Sequence, residues 1–216
     1  MAGGAGVSIG RIIETDADVA EGAAWLAARD DRFRAALEQT GPLPLRRTGD
    51  GFEALLSAIV GQQVSTASAS AIWARLEAAG LHQRDRVLAA SDAEILGCGL
   101  SRPKLRYTRA LAESELDYSV LRDVPDVDVI AALCRITGIG RWTAEVYALT
   151  SLGRADVFPS GDLALQEAAR LLFDLEARPS EKAMAAMAAE WSPWRAVAAR
   201  LLWAYYRVAK KREGIR

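Results

Sequence analysis

The chain has 216 residues, 51% of them hydrophobic and 25% charged, with a formal net charge of −1 at pH 7. That length can bury a core in one domain or in two closely packed lobes, and no apolar run reaches the roughly 20 residues that span a bilayer, which excludes a helical membrane protein. One histidine and two cysteines exclude a His-rich metal centre, a serine–histidine triad with a spare base, a disulfide framework and a four-cysteine iron–sulfur cluster. The near-neutral balance lacks the positive excess common among nucleic-acid binders, but affinity depends on the local patch that faces phosphate.

Met1 to Gly10 is small and glycine-rich, without a basic region leading into an apolar one. It reads as a loose terminus, with residues 1–15 expected to be flexible, and not as a signal peptide, so a cytoplasmic protein is expected. Beyond it, apolar residues recur at spacings of three and four, as in Phe52, Leu55, Leu56, Ile59 and Val60, or Leu163, Leu165, Ala168, Ala169, Leu172 and Phe173. Asp16, Ser65, Ser91, Ser101, Asp126 and Ser180 are candidate N-caps, Glu94 completes a capping box with Ser91, and Gly41, Gly80 and Gly97 are candidate stops. The spacing predicts helices over 16–29, 31–40, 51–62, 65–79, 92–97, 102–117, 126–136, 141–151, 161–174, 180–190 and 193–211. Gly41–Pro44 and Val124–Pro125 are the best hinge candidates. The expected class is all-α, residues 16–216 forming one compact helical domain. Cys98 and Cys134 are expected as buried free thiols, and His82 as a surface residue.

Two stretches carry chemistry. In Leu133-Cys-Arg-Ile136-Thr137-Gly138-Ile139-Gly140-Arg141-Trp142-Thr143-Ala144 one helix ends, two glycines flank an apolar residue, and another helix begins. Gly138 and Gly140 can take positive φ and bring backbone close to a partner. Amides at the start of the second helix can then receive a phosphate oxygen, and Ile139 is suited to burial. Taken alone, the two glycines are a weak signal, and an ordinary helix–turn–helix corner is the favoured reading. The second stretch, Asp156-Val-Phe-Pro159-Ser-Gly161-Asp162, opens another helix, and by itself Asp162 reads as an N-cap or first-turn carboxylate.

Together, Leu133, Ile136, Gly138-Ile139-Gly140 and Thr143-Ala144 resemble the helix-hairpin-helix motif of the HhH-GPD DNA glycosylase superfamily, and Pro159–Asp162 resembles its Gly/Pro-rich loop ending in an essential aspartate. The resemblance implies a two-lobed helical fold with the active site in the cleft between the lobes. It makes Asp162 catalytic, with Thr137, Gly138, Gly140 and Arg141 gripping the DNA backbone without reading sequence. Cleaving an N-glycosidic bond builds positive charge on the deoxyribose, which a carboxylate at Asp162 would stabilise while orienting or deprotonating a water. Members that also cut the strand use a lysine nucleophile where this chain has Trp142, and the cluster-bearing branch has four cysteines near its C-terminus, which this tail lacks. A monofunctional enzyme without metal or cofactor is implied.

The branch it resembles is the DNA-3-methyladenine glycosylase II-like one, over about Gly51 to Tyr206. There Ala58–Ser65 is similar to the segment carrying the wedge that fills the gap left by an extruded base, with Gln63 at the wedge position and Gln62 and Ser65 beside it as DNA contacts. Trp142 and Trp194, the latter in Trp191-Ser-Pro-Trp-Arg195, align with aromatic pocket walls, onto which a cationic methylated purine would stack. Val146 stands where relatives have a tyrosine, and Lys104 and Arg106 fall in a segment that could approach DNA. The implied partner is damaged double-stranded DNA, the implied state a monomer without membrane attachment. A uracil or mismatch glycosylase on the same fold, and a non-catalytic hairpin DNA-binding module, remain the alternatives.

Overall fold

A computed structural model of the chain describes residues 9–212. Among them are twelve α-helices, one 3-10 turn and no strand beyond an isolated bridge between Ile12 and Arg154. The described residues form two compact units, one from residue 9 and residues 48–147, the other from residues 10–47 and 148–212.

The first unit holds α3 (Phe52–Gly61), α4 (Thr66–Ala78), α5 (Arg84–Ala89), α6 (Asp92–Gly97), α7 (Arg102–Glu113), the 3-10 turn Val120–Arg122 and α8 (Asp126–Cys134). Helix α9 (Arg141–Thr150) begins in this unit and ends in the other. Helix α7 packs against α3, α5 and α6, because Leu105, Thr108, Leu111 and Ala112 recur on one buried face. Ser65, Ser91 and Ser101 each accept from the amide three residues on, and Ser91 and Glu94 close the capping box. Pro125, not Asp126, occupies the cap position of α8, leaving Asp126 and Asp128 in its first turn, where carboxylates suit the helix dipole.

The second unit holds α1 (Asp16–Arg29), α2 (Asp31–Thr40), α10 (Leu163–Leu172), α11 (Glu181–Ala189) and α12 (Arg195–Arg212). Helix α12 packs against α1, α2, α10 and α11. Its Ala196, Val197, Ala198, Ala199, Leu201 and Leu202 are fully buried, small side chains letting neighbouring helices approach closely. Beside them Trp191 packs edge-on against Phe33 and Phe158, with centroids 5.4 Å away in both cases, and stacks on Phe173 at 5.9 Å. Thr15, not Asp16, caps α1, with Asp18 returning the hydrogen bond.

Helix α1 meets α12 at Gly22, where an added Cβ would lie 2.6 Å from Trp194 Cε3 and from Val197 Cγ2. Both neighbours are buried and cannot swing aside. Gly22→Ala should therefore lower stability by about 1–2 kcal/mol, since overpacking costs about 1–3 kcal/mol and helix propensity returns at most about 1. Thermal unfolding checks this; a melting temperature at or above wild type would show that the Trp194 ring yields.

Several expectations are corrected. Helix α7 stops at Glu113 and not at 117, because the Ser114 hydroxyl and amide both donate to Leu111 O, at 2.7 and 3.3 Å. Helix α5 was not expected: it is one and a half turns long, has no side-chain cap and buries only Val87, so it carries no periodic signal. Within the terminus expected to be flexible over 1–15, Ile13 is fully buried and its N–H donates to Gly153 O at 2.7 Å, while residues 1–8 of that expectation lie outside the described residues. Cys98 is buried as expected, but Cys134, the last residue of α8, is exposed.

Candidate functional site

In the first unit the hairpin is built from its buried ends. Leu133, Ile136 and Ile139 are 0, 7 and 3% exposed, so the turn between α8 and α9 is pinned by apolar residues on both sides. Ile136 N–H donates to Leu133 O at 3.1 Å and Ile139 N–H to Ile136 O at 3.0 Å, which closes the corner. Gly138 has φ +95, and a Cβ there would fall 2.2 Å from Tyr107 Cγ and 2.5 Å from Tyr107 Cβ. The turn thus lies directly on the Tyr107 side chain, and only glycine permits both the backbone angle and the approach. Gly140 does not adopt positive φ, and nothing lies within 4 Å of where its Cβ would be. Its carbonyl accepts from Ala144 N–H at 3.0 Å, so it stands at the cap of α9, with Thr137 and Gly140 exposed at the tip. Amides in a helix's first turn have no acceptor within the helix, and the helix dipole favours an anion beside them.

Arg141 is partly committed elsewhere. Its Nε donates to Glu145 Oε1 at 2.8 Å, with the arginine side chain 65% exposed and the glutamate side chain 4%. Trp142 is 45% exposed, as an aromatic surface for a ligand requires. Val146 is half-buried, and Tyr147 is buried with its hydroxyl accepting from Gly51 N–H at 2.8 Å. Burial pushes the Tyr147 pKa up to about 12, so this tyrosine anchors the start of α3 and stays neutral.

The α3–α4 turn is tied to the hairpin. Gln62 caps α3, and its side-chain Nε2 donates to Gly138 O at 3.0 Å. Gln62, expected as a DNA contact, braces the two loops through this bond. Gln63 follows in a left-handed conformation, φ +54, with its side chain exposed beside the 40%-exposed Val64. Ser65 caps α4. Lys104 is buried and its Nζ donates to Val60 O at 2.7 Å; burial lowers its pKa. It holds the C-terminal end of α3 from within the protein, whereas Arg106 is exposed.

In the second unit the loop before α10 is fixed at three places. Asp156 accepts from Arg195 Nε and Nη2 at 2.7 and 3.0 Å and from the Ser192 hydroxyl at 2.8 Å. Buried Gln166 donates from Nε2 to Ser160 O at 2.8 Å, and Asp162 N–H donates to Pro159 O at 2.9 Å. Asp162 caps α10: its Oδ1 accepts from Ala164 N–H at 2.9 Å and Leu165 N–H at 3.0 Å. It is half-buried, so a carboxylate of set direction keeps solvent access. Of the bracing residues, Gln166 had a signal in the sequence as the polar member of an otherwise apolar helix face, Leu165-Gln166-Ala168-Ala169. Tyr107, Asp156 and Lys104 had none that distinguishes them from surface residues.

Trp194 does not fit its expected role. It is 3% exposed, packed on Gly22, with the Arg11 guanidinium 4.4 Å from its ring centroid. A base cannot stack on a ring already covered, so Trp194 belongs to the core. On α12, which starts at the next residue, Trp203 is the tryptophan that keeps partial access, and the Arg46 guanidinium lies 5.7 Å from its ring.

The chain as a whole is similar to known proteins. Residues 56–193 match the HhH-GPD superfamily base excision DNA repair protein family. The Bacillus subtilis protein YfjP is 30% identical over 182 residues, covering 78% of this chain and 63% of its own length; the chain thus spans less than two thirds of that relative. A crystal structure described as DNA-3-methyladenine glycosidase from Bacillus halodurans superposes with a TM-score of 0.77 at 32% identity, over 91% of this chain and 92% of the other. The Schizosaccharomyces pombe 3-methyladenine DNA glycosylase Mag1, in complex with abasic DNA, gives a TM-score of 0.74 at 25% identity, over 85% and 95% of the two chains. The matched span and the superposition of the all-helical fold agree, and this chain belongs to the HhH-GPD superfamily of base excision DNA repair proteins.

Proposed function

We propose that this chain is a monofunctional DNA glycosylase of base excision repair that hydrolyses the N-glycosidic bond of flipped-out alkylated purines, of the 3-methyladenine and 7-methylguanine type, and leaves an abasic site. The observation that carries the reading is Asp162, held by two backbone amides at the end of a loop braced by Asp156 and Gln166. A carboxylate fixed in this way faces no reorganisation when positive charge develops on the deoxyribose, which is how preorganised groups stabilise a transition state. The same carboxylate serves to orient or deprotonate the attacking water. The hairpin amides around Gly138 and Gly140 hold a backbone phosphate, exposed Gln63 enters the space vacated by the extruded base, and Trp142 offers the lesion an aromatic face. A methylated purine carries positive charge, so stacking on Trp142 gains a cation–π contribution of about 1–2 kcal/mol, and its glycosidic bond is already weakened. The partner is damaged duplex DNA, engaged by a monomer in the cytoplasm.

No lysine stands at position 142 to attack the sugar, and buried Lys104 is tied to Val60 O. Incubation with methylated duplex DNA should release methylpurines and leave alkali-labile abasic sites, and borohydride should trap no covalent protein–DNA adduct. Release of uracil from a mismatched duplex with no methylpurine released would replace the substrate assignment by the uracil one; release of no base would leave a binding module. A trapped adduct would overturn the monofunctional assignment.

A further inference from the structure

The second unit contains a cationic cluster that the chemistry at Asp162 does not use. On α12, Arg200, Trp203 and Arg207 are spaced by three and four residues and so share one face. The segment before α3 lies along that face: Arg200 Nε donates to Leu45 O at 3.0 Å, and the Arg46 guanidinium lies 5.7 Å from the Trp203 ring centroid. Arg46 adopts a left-handed conformation, φ 51, unusual for a residue with a side chain. Arg47 donates to Ser151 O at 2.8 Å.

Among the described residues, none of Arg46, Arg47, Arg200 and Arg207 has a carboxylate partner; Arg47 and Arg200 donate to carbonyl oxygens, and Arg46 lies over the Trp203 ring. The like charges are felt. Burial and then Arg207 lower the Arg46 pKa, while burial followed by Arg46 and Arg47 lowers that of Arg200 to about 10, so both remain cations at neutral pH. Arg200 is fully buried with its guanidinium engaged by three carbonyls, of Leu45, Ala196 and Leu149. Arg207 is exposed and Arg46 half-buried, so these two guanidinium groups have donors to offer. Uncompensated, half-desolvated cations around an accessible point are the setting in which an oxyanion is bound by charge-assisted hydrogen bonds.

We propose that Arg46 and Arg207 form a phosphate clamp for a phosphodiester of the DNA backbone, with Arg200 and Arg47 supplying supporting charge. The clamp adds a second backbone grip to that of the hairpin, and it rests on the reading of this chain as a DNA-binding enzyme. It also accounts for a chain of formal net charge −1 acting on a polyanion, because the required positive potential is local.

The test uses the full chain, wild type and the variants Arg46→Gln, Arg207→Gln and the double substitution, with a fluorescent duplex carrying an abasic-site analogue titrated across a range of NaCl concentrations. The double variant should lower the slope of log affinity against log salt by about 0.9, the value for one lost phosphate contact, and weaken binding severalfold at fixed salt. Arg207→Gln changes an exposed side chain and leaves the fold intact, so it should show part of the effect even if the Arg46 variant unfolds. In parallel, melting temperature is measured with inorganic phosphate replacing chloride at constant ionic strength, and wild type but not the double variant should be stabilised. A wild-type slope in every folded variant overturns the clamp; phosphate-dependent melting together with that slope assigns the cluster to free phosphate instead. Failure of wild type itself to bind the duplex defeats the glycosylase reading, and the melting experiment then decides by itself whether the anion site exists.

Discussion

Asp162→Asn should reduce the single-turnover rate of base release by about 10²–10³-fold, the range seen when one preorganised electrostatic group is removed from a transition state. Asparagine is as good an N-cap as aspartate, and its side-chain oxygen can still accept from the amides of Ala164 and Leu165, which Asp162 Oδ1 accepts at 2.9 and 3.0 Å. The loop and α10 should therefore survive, with thermal stability close to wild type and with affinity for an abasic-site duplex retained. Charge is then separated from structure. Asp162→Ala would mix the two, because losing the cap costs about 1 kcal/mol by itself. Unchanged turnover in a folded Asp162→Asn protein would remove Asp162 from the chemistry.

The second large effect is expected at the hairpin. Gly138→Ala meets two penalties: a left-handed backbone at φ +95, and a Cβ 2.2 Å from Tyr107 Cγ and 2.5 Å from Tyr107 Cβ. These ring and root atoms cannot rotate out of the way as a side-chain tip could. Overpacking costs about 1–3 kcal/mol and the forced left-handed angle about 1–2, so unfolding free energy should fall by about 2–5 kcal/mol and DNA affinity should fall with it. Gly140→Ala is the matched control. With no positive φ and nothing within 4 Å of its Cβ position, it should melt like wild type while weakening duplex binding, because the methyl group enters the space a phosphate would occupy. If Gly140→Ala binds as tightly as wild type, the phosphate does not sit at the cap of α9.

The two halves of the candidate site were unequally legible. Asp162 and the hairpin could be located because their signals are local: Gly138, Ile139 and Gly140 lie between two helical periodicities, and Pro159–Asp162 precedes another. The roles of individual polar and aromatic residues were less readable. Gln62 was expected as a DNA contact, and its bracing bond to Gly138 O at 3.0 Å was not foreseen; Lys104 fell in a segment that could approach DNA or form a solvated helix start, and it is buried against Val60 O. Trp194 was expected in the pocket and is a core residue because Gly22, from a distant helix, accepts its ring. The α5 helix escaped notice for a related reason, since it buries only Val87 and is held by its packing against α7.

The sequence by itself determined the all-helical class, most helix boundaries, and the register of hairpin and loop. These properties depend on residues within a turn or two of one another, through helical periodicity, side-chain caps and the conformational freedom of glycine. Only the tertiary structure decided which side chains are available for chemistry. Trp142 is exposed and Trp194 is not, Asp162 is oriented by a loop that Arg195 and Gln166 hold, and arginines from the 41–47 segment and α12 gather with no carboxylate partner among the described residues. Burial and charge compensation are set by partners far apart in the chain, and no local pattern encodes which partners will meet.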